Sequence, residues 1–360
     1  MKVLHILRDL GLTGVPRFVE FFCSSNFSKE NLQNFVFTTN DGVLRESISK
    51  NAILIGYKKK LKYSPLPILL LLLNYKKYKI DLVHIHFNPW GILFVYLMNV
   101  PAILTLHVLP NENRIEGTAI NYFLKKMCKR KNFRLVAVSK RIALESAKIL
   151  NIDIEKISVI YNGVNINNRK DSLLEKNNVT KKIIIGQVGS LSEAKGQYYS
   201  IKAATILKEK GYNFEIYFAG EGPSKEKLIT LVNELNLNSN IKFIGNIIFS
   251  DFVEKFIPDI IIMPSLSETF GFVIIETWSY GIPVIASRVQ GPMEIIEDGE
   301  SGLLIEPSNS SDLAEKIEEL ILNPAIRKKL ILGGFEQVKQ FDIEKTVKNY
   351  FRHYISILSL

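Results

Sequence analysis

Hydrophobic and polar positions along the chain alternate between two periods. Short runs rich in branched apolar residues, among them MKVLHIL, QNFVFTT, AILIGY, AILTLH, IIIGQV and DIIIMPS, have the length and composition of buried parallel strands. Between them stand segments with helical spacing, such as WGILFVYLMN and the stretch Phe272 to Tyr280. Strand and helix alternate through both halves, which predicts two doubly wound α/β domains with ligand-facing loops at the carboxyl ends of their strands. The Asn/Lys-rich stretch Asn162 to Lys182 reads as the linker. The expected domains are residues 1–170 and 171–342. A final segment, 343–360, has apolar spacing suited to packing one face.

The stretch PSLSETFGFVIIETWSYGIP, Pro264 to Pro283, reads as strand end, loop, helix and the start of another strand. Gly281 sits where a helix C-terminus favours a left-handed residue. Thr269, Phe270 and Gly271 lead into a helix start, whose first N–H groups lack partners and attract phosphate. Glu268 stands at the mouth of the strand. Glu276, eight positions further on and within the helix, offers two acceptor oxygens to a vicinal diol. Charges are rarely set among runs as apolar as FGFVII without a partner. Carboxylates beside a phosphate site have a use when they grip hydroxyls, so a sugar nucleotide fits.

With 360 residues and 47% apolar content, each half is able to bury a core. Cys23 and Cys128 make no disulfide framework and show no metal-ligand spacing, as in a cytosolic protein with reduced thiols. The N-terminus MKVLHILRDL reads as a first strand, not a signal peptide. Net charge is +10, and it is uneven. Residues 1–175 carry 26 Lys and Arg against 13 Asp and Glu, while the remainder carries 20 against 23. The first half therefore faces something anionic. Lys58, Lys59, Lys60 and Lys62 precede the apolar run Leu66 to Leu73, which is far short of the ~20 residues a bilayer span needs. Two readings stay open: a buried helix with solvated basic ends, or a helix at an anionic membrane surface. A second basic run, KKMCKRKNFR, extends the positive charge. It has neither an aromatic stacking pattern nor a nucleic-acid module, so nucleic acid is not expected as a partner.

The pattern S-L-S-E-T-F-G-F-V-I-I-E, followed by G-I-P-V-I-A-S and E-I-I-E-D-G-E-S-G-L-L-I-E-P, resembles the signature of glycosyltransferase family 4, retaining enzymes with the GT-B fold. The resemblance covers nearly the whole chain and is strongest from residue 259 to 307. It implies two Rossmann-like domains facing across a cleft, with the last helix crossing back to the first. The second domain would bind a nucleotide-sugar donor, UDP-linked or GDP-linked, and the first a saccharide acceptor, lipid-linked in cell-surface polysaccharide assembly at the inner membrane face. Glu268 would grip donor-sugar hydroxyls and Glu276 the ribose. Lys195, in G-S-L-S-E-A-K-G, would face the diphosphate together with N–H groups near Gly271, Phe272 and Val273. Asn246 and Ile247 would line the base pocket, and His107 would contact donor sugar or acceptor. Gly14 matches a Gly-rich loop after the first strand, which would approach the donor phosphate and the acceptor.

The chain also departs from the family pattern. Ser190 stands at the usual arginine, Thr13 at a common glycine, Pro16 at a common acidic residue, Tyr161 at a proline and Asn165 at an aspartate. No D-x-D metal motif and no G-x-G-x-x-G are present, so neither metal nor cofactor is expected. A GT-B sugar-nucleotide epimerase, or a noncatalytic partner subunit of the same fold, is the alternative.

Overall fold

The computed structural model of the protein describes residues 1–55, 66–86, 88–110, 115–166 and 182–359. The chain divides into two compact units, Met1–Asn165 with Phe341–Leu360, and Ile166–Gln340. In the first, strands β1 (Lys2–Leu7), β2 (Gln33–Thr38), β3 (Ile53–Leu54), β4 (Leu82–Ile85), β5 (Ala102–Leu106), β6 (Phe133–Ala137) and β7 (Ile157–Val159) form one sheet. Its order is β3-β2-β1-β4-β5-β6-β7. The second holds β8 (Ile183–Val188), β9 (Phe214–Ala219), β10 (Ile241–Gly245), β11 (Ile260–Met263), β12 (Val284–Ser287) and β13 (Leu303–Ile305), in the order β10-β9-β8-β11-β12-β13. Every strand pairing is parallel.

Both sheets are doubly wound. The order runs outward from the first strand of the unit, then reverses, leaving a switch point between β1 and β4 in one unit and between β8 and β11 in the other. Helices on both faces make the central strands almost wholly apolar, and each unit has its own core.

Most predicted elements appear where the periods placed them. Apolar spacing and Pro101 divide residues 81–108 into the helix Pro89–Met98 and strand β5, the helix ending on Asn99 in the left-handed region. Gly281, after the helix Phe272–Ser279, has φ +65°. AILIGY yields only the two-residue edge strand β3, which has a single partner in β2 and leaves Ile53 exposed. Gly56 and Tyr57 lie outside the described residues. The helix Ser310–Leu322 is capped by Asn309, whose side chain accepts from the amides of Ser311 and Asp312.

The final helix, Ile343–Leu358, belongs to the first unit. Its entry is stitched to the chain just after β7: Val164 N–H donates to Phe341 O at 2.9 Å and Ile343 N–H to Val164 O at 3.0 Å. Gly163 explains how they come so close. A Cβ at this position would lie 2.6 Å from Thr346 Oγ1 and 2.7 Å from Ile343 Cα. Gly163→Ala should therefore lower the unfolding free energy by about 1–3 kcal/mol through overpacking, read from urea denaturation monitored by tryptophan fluorescence and circular dichroism. An unchanged midpoint would show that the helix seats without this contact.

Candidate functional site

In the second unit, Lys195 follows β8 and Glu268 follows β11, so the two strands flanking the switch point each deliver one charge. Lys195 Nζ lies 2.5 Å from Glu268 Oε2. Their side chains are 30% and 14% exposed, so the pair is partly shielded yet reachable. The other Glu268 oxygen, Oε1, accepts from the Thr269 amide at 3.2 Å.

Backbone contacts hold both residues in place. Gly196, at φ +69°, lies under the end of β11, where a Cβ would stand 1.9 Å from Pro264 O. Leu266 N–H donates to Ala194 O at 2.8 Å, joining the two loops directly. Buried Gln187 in β8 donates from Nε2 to Lys195 O at 2.8 Å, and Ser200 Oγ donates to Gln187 Oε1 at 2.7 Å. Gly291 N–H donates to Glu268 O at 2.9 Å, and a Cβ on Gly291 would meet Phe270 N at 2.6 Å. Sequence reasoning missed Gln187 and Gly291. Gln187 was legible as a polar residue inside the apolar run IIIGQV; Gly291 had no such signal.

Glu276 lies in the helix Phe272–Ser279 and is 5% exposed, as the apolar setting of FGFVIIE requires. Gly271, at φ +95°, opens that helix, and Phe270 is buried beneath it. Thr269, Phe272 and Val273 are half-buried around the same helix start. The loops after β9 and β10 complete the carboxyl edge of the sheet. Leu191 N–H donates to Glu221 O, Gly220 pairs with Gly245, and exposed Asn246 and half-buried Ile247 follow. Ser190 is exposed, with its Oγ 3.3 Å from Ser192 Oγ. A hydroxyl there cannot reproduce a guanidinium's charge.

The first unit holds a second constellation at its own switch point. His5 (β1) stands in register with His84 (β4); His86 and His107 close β4 and β5 on the same sheet face. All four are buried. Asn34 Oδ1 lies 3.2 Å from His5 Nε2, His5 Nδ1 3.1 Å from His86 Nε2, and His86 Nδ1 3.1 Å from His107 Nε2. His84 bonds Tyr354 OH at 2.7 Å and Thr105 Oγ1 at 2.8 Å, and Thr105 Oγ1 lies 3.0 Å from Tyr350 OH. Phe18 and Phe22, from the helix Gly14–Ser24, pack over the rings. Gly14 begins that helix exposed, with open space where a Cβ would be, so packing within the unit does not require glycine there.

Ring nitrogens of His5, His84 and His86 come within 4.8 Å of one another, which invites comparison with a metal site. A ligand set turns its lone pairs to one point. Here both nitrogens of each ring already face a partner within the network, so it is held by hydrogen bonds. Lys58, Lys59, Lys60 and Lys62 lie outside the described residues.

Burial pulls the pKa of His5 down to about 4 and of His107 to about 3. Burial, then neighbouring histidines, holds His84 and His86 well below the ordinary value. These rings stay neutral in the folded protein while an unfolded chain protonates them below pH ~6.5. The unfolded state then binds more protons, so stability falls as pH drops from ~6.5 toward 4, by about 1.4 kcal/mol per pH unit for each ring. Urea unfolding at pH 7.5, 6 and 5 should show a steep loss below 6.5, shallower in His5→Phe. Equal slopes in the two proteins would exclude His5 from this uptake.

Comparison with known proteins gives the following. Residues 169–337 match the family model described as glycosyl transferases group 1, and residues 21–168 match that for glycosyltransferase family 4. An uncharacterized glycosyltransferase of Methanocaldococcus jannaschii is 36% identical over 278 residues, covering 74% of this chain and 73% of its own. The lipopolysaccharide core biosynthesis glycosyltransferase LpsE of Rhizobium meliloti is 28% identical, covering 47% of this chain and 48% of its own. Anabaena Alr3699/HepE, solved in complex with UDP-glucose, superposes with a TM-score of 0.80 at 19% identity, over 99% of this chain and 100% of its own.

Proposed function

The chain belongs to glycosyltransferase family 4, and from that premise we propose that it transfers a hexose, with retention and without a metal ion, from a UDP-sugar to a saccharide. The observation that carries this reading is the Lys195–Glu268 pair at the switch point of the second unit. A lysine there answers a diphosphate, and a carboxylate held beside it answers sugar hydroxyls. The UDP-glucose bound by the Anabaena neighbour supports UDP as the donor nucleotide; GDP is the second choice.

In the step, the bond from the anomeric carbon to the diphosphate oxygen breaks and a bond to the acceptor oxygen forms on the same face. The acceptor's proton passes to the departing phosphate. Lys195 and the first amides of the helix Phe272–Ser279 stabilise the negative charge that develops on the diphosphate. Glu276 binds the ribose hydroxyls, Asn246 and Ile247 border the base, and Ser190 leaves the diphosphate with one cation fewer than the family pattern. On the first unit, His107 is assigned to saccharide.

The acceptor is proposed to be lipid-linked, in cell-surface polysaccharide assembly at the inner face of a membrane. The lipopolysaccharide role of the Rhizobium relative supports such an acceptor. The surface of the first unit supports a membrane location. The helix Leu66–Tyr78 exposes Leu69 and Leu73, followed by exposed Lys76 and Lys77, and the helix Pro89–Met98 packed beside it exposes Leu97 and Met98. Apolar side chains flanked by lysines suit an anionic lipid surface. No helix among the described residues is long and apolar enough to cross a membrane.

A thermal-shift panel of UDP, GDP, ADP, CMP and their common sugars tests the donor. At a hundredfold excess over Kd the ligand adds about 2.7 kcal/mol, a shift of several degrees. UDP compounds should raise Tm selectively; Glu276→Ala should weaken that binding about tenfold or more, and Glu268→Ala should abolish transfer while keeping nucleotide affinity. No shift with any nucleotide would replace this reading with the noncatalytic partner, and epimerised donor formed without acceptor would replace it with the isomerase. In parallel, Leu69→Ser with Leu73→Ser should reduce sedimentation with anionic vesicles; unchanged sedimentation removes this face from membrane contact.

A further inference from the structure

We infer that Asn34, His5 and His86 are positioning residues that fix the tautomer of His107, so that its Nδ1 accepts a hydrogen bond from a saccharide hydroxyl. The saccharide part rests on the proposed transfer; the tautomer part stands on the network alone.

Direction in the chain begins at Asn34. Its Nδ2 donates to Ser28 Oγ at 2.7 Å, which leaves Oδ1 as the end facing His5 Nε2. A carboxamide oxygen only accepts. His5 therefore carries its proton on Nε2, and the Nδ1 of that neutral ring is a lone pair. His86 Nε2, 3.1 Å away, must donate to it. His86 Nδ1 is then a lone pair in turn, and His107 Nε2 donates at 3.1 Å. Each ring passes the same polarity to the next, because in a neutral imidazole one nitrogen's hydrogen bond decides the state of the other. Burial keeps the rings neutral, and without that a second proton would erase the order.

His107 ends the chain. It stands just beyond β5 at the carboxyl edge of the sheet, and its Nδ1 has no hydrogen-bond partner among the described residues. With the Asn34 amide in this orientation, that atom is an acceptor. Were the amide reversed, every ring would reverse and Nδ1 would carry a proton. One amide on β2, three rings away, thus decides whether the site offers an acceptor or a donor. An acceptor suits a hydroxyl that must be oriented by its own O–H, and it repels an anionic oxygen.

The experiment is long-range proton–nitrogen NMR of uniformly labelled histidine side chains in the ligand-free protein at pH 7.5, where the two neutral tautomers and the cation give distinct patterns. His5, His86 and His107 should all show protonated Nε2 and unprotonated Nδ1. A protonated Nδ1 or a cationic ring at His107 would overturn the inference. Asn34→Leu removes the acceptor that sets the direction, so the His107 pattern should become mixed. Phe22→Leu, which loosens packing on His5 without touching a hydrogen bond in the chain, should leave it as in the wild type. A His107 pattern that shifts equally in both variants would reduce the role of Asn34 to packing, and if Asn34→Leu does not fold, the wild-type spectrum still decides. With a transfer assay in hand, Asn34→Leu should lose about tenfold in rate, near the factor for one hydrogen bond, at unchanged UDP affinity. A full rate beside the expected tautomer would overturn the positioning role. Absence of nucleotide binding would instead remove the transfer reading and leave the tautomer order standing.

Discussion

The carbonyl of Pro264 leaves no room for a side chain at position 196, and much of the candidate site follows from that contact. Strand β11 ends against the backbone of the loop after β8, so only a glycine in the left-handed region lets the two meet. Their meeting brings Lys195 and Glu268 together across the switch point. The pair is therefore a product of sheet topology and a steric limit, with Gln187 and Gly291 fixing the backbone on either side. A long lysine side chain loses rotamer freedom in being held this way. Its partial exposure means that the charge is held in place while still reachable by an anion.

The same sheet order, repeated in the first unit, gives a different result at the equivalent place. There the switch point is filled by four neutral histidines instead of an ion pair, and the last helix closes over them with Tyr350 and Tyr354. Both are anchored to the ring network through hydroxyls: Tyr354 to His84 and Tyr350 to Thr105. The seating of the C-terminal helix and the arrangement of the histidines are therefore one structural feature. Gly163 permits the close entry of that helix, and the tyrosines fix its depth.

Much of this was legible in the sequence where the information is local. Strand and helix periods, the glycines at 196 and 271, and the carboxylates at 268 and 276 lie within short windows and carry their chemistry in their spacing. The histidine network was not legible in that way. His107 was singled out as a site residue, but its partners His86, His5 and Asn34 are dispersed along the chain, and only the registers of β1 with β2 and β4 bring them together. Parallel pairing through crossovers leaves no local trace of such a register. Tyr350 and Tyr354 were hidden for a related reason, since their partners are some 250 residues earlier in the chain. The two-residue β3 shows the usual uncertainty at element ends, where one missing neighbour decides the boundary.

A purely apolar filling at the first switch point would avoid the proton-linked loss of stability that four buried imidazoles impose. Their hydrogen bonds offset much of the desolvation of the polar atoms, but each bond contributes only about 1 kcal/mol net, and half-satisfied polar networks do worse than apolar cores. Packing alone therefore does not explain them. What they supply and an apolar cluster cannot is a directed series of donors and acceptors, ending on a strand terminus at the carboxyl edge of the sheet. In open α/β sheets that edge is where ligands bind. The two units thus present different chemistry at equivalent places in their sheets: a charged pair in one, and a neutral, directed series of hydrogen bonds in the other.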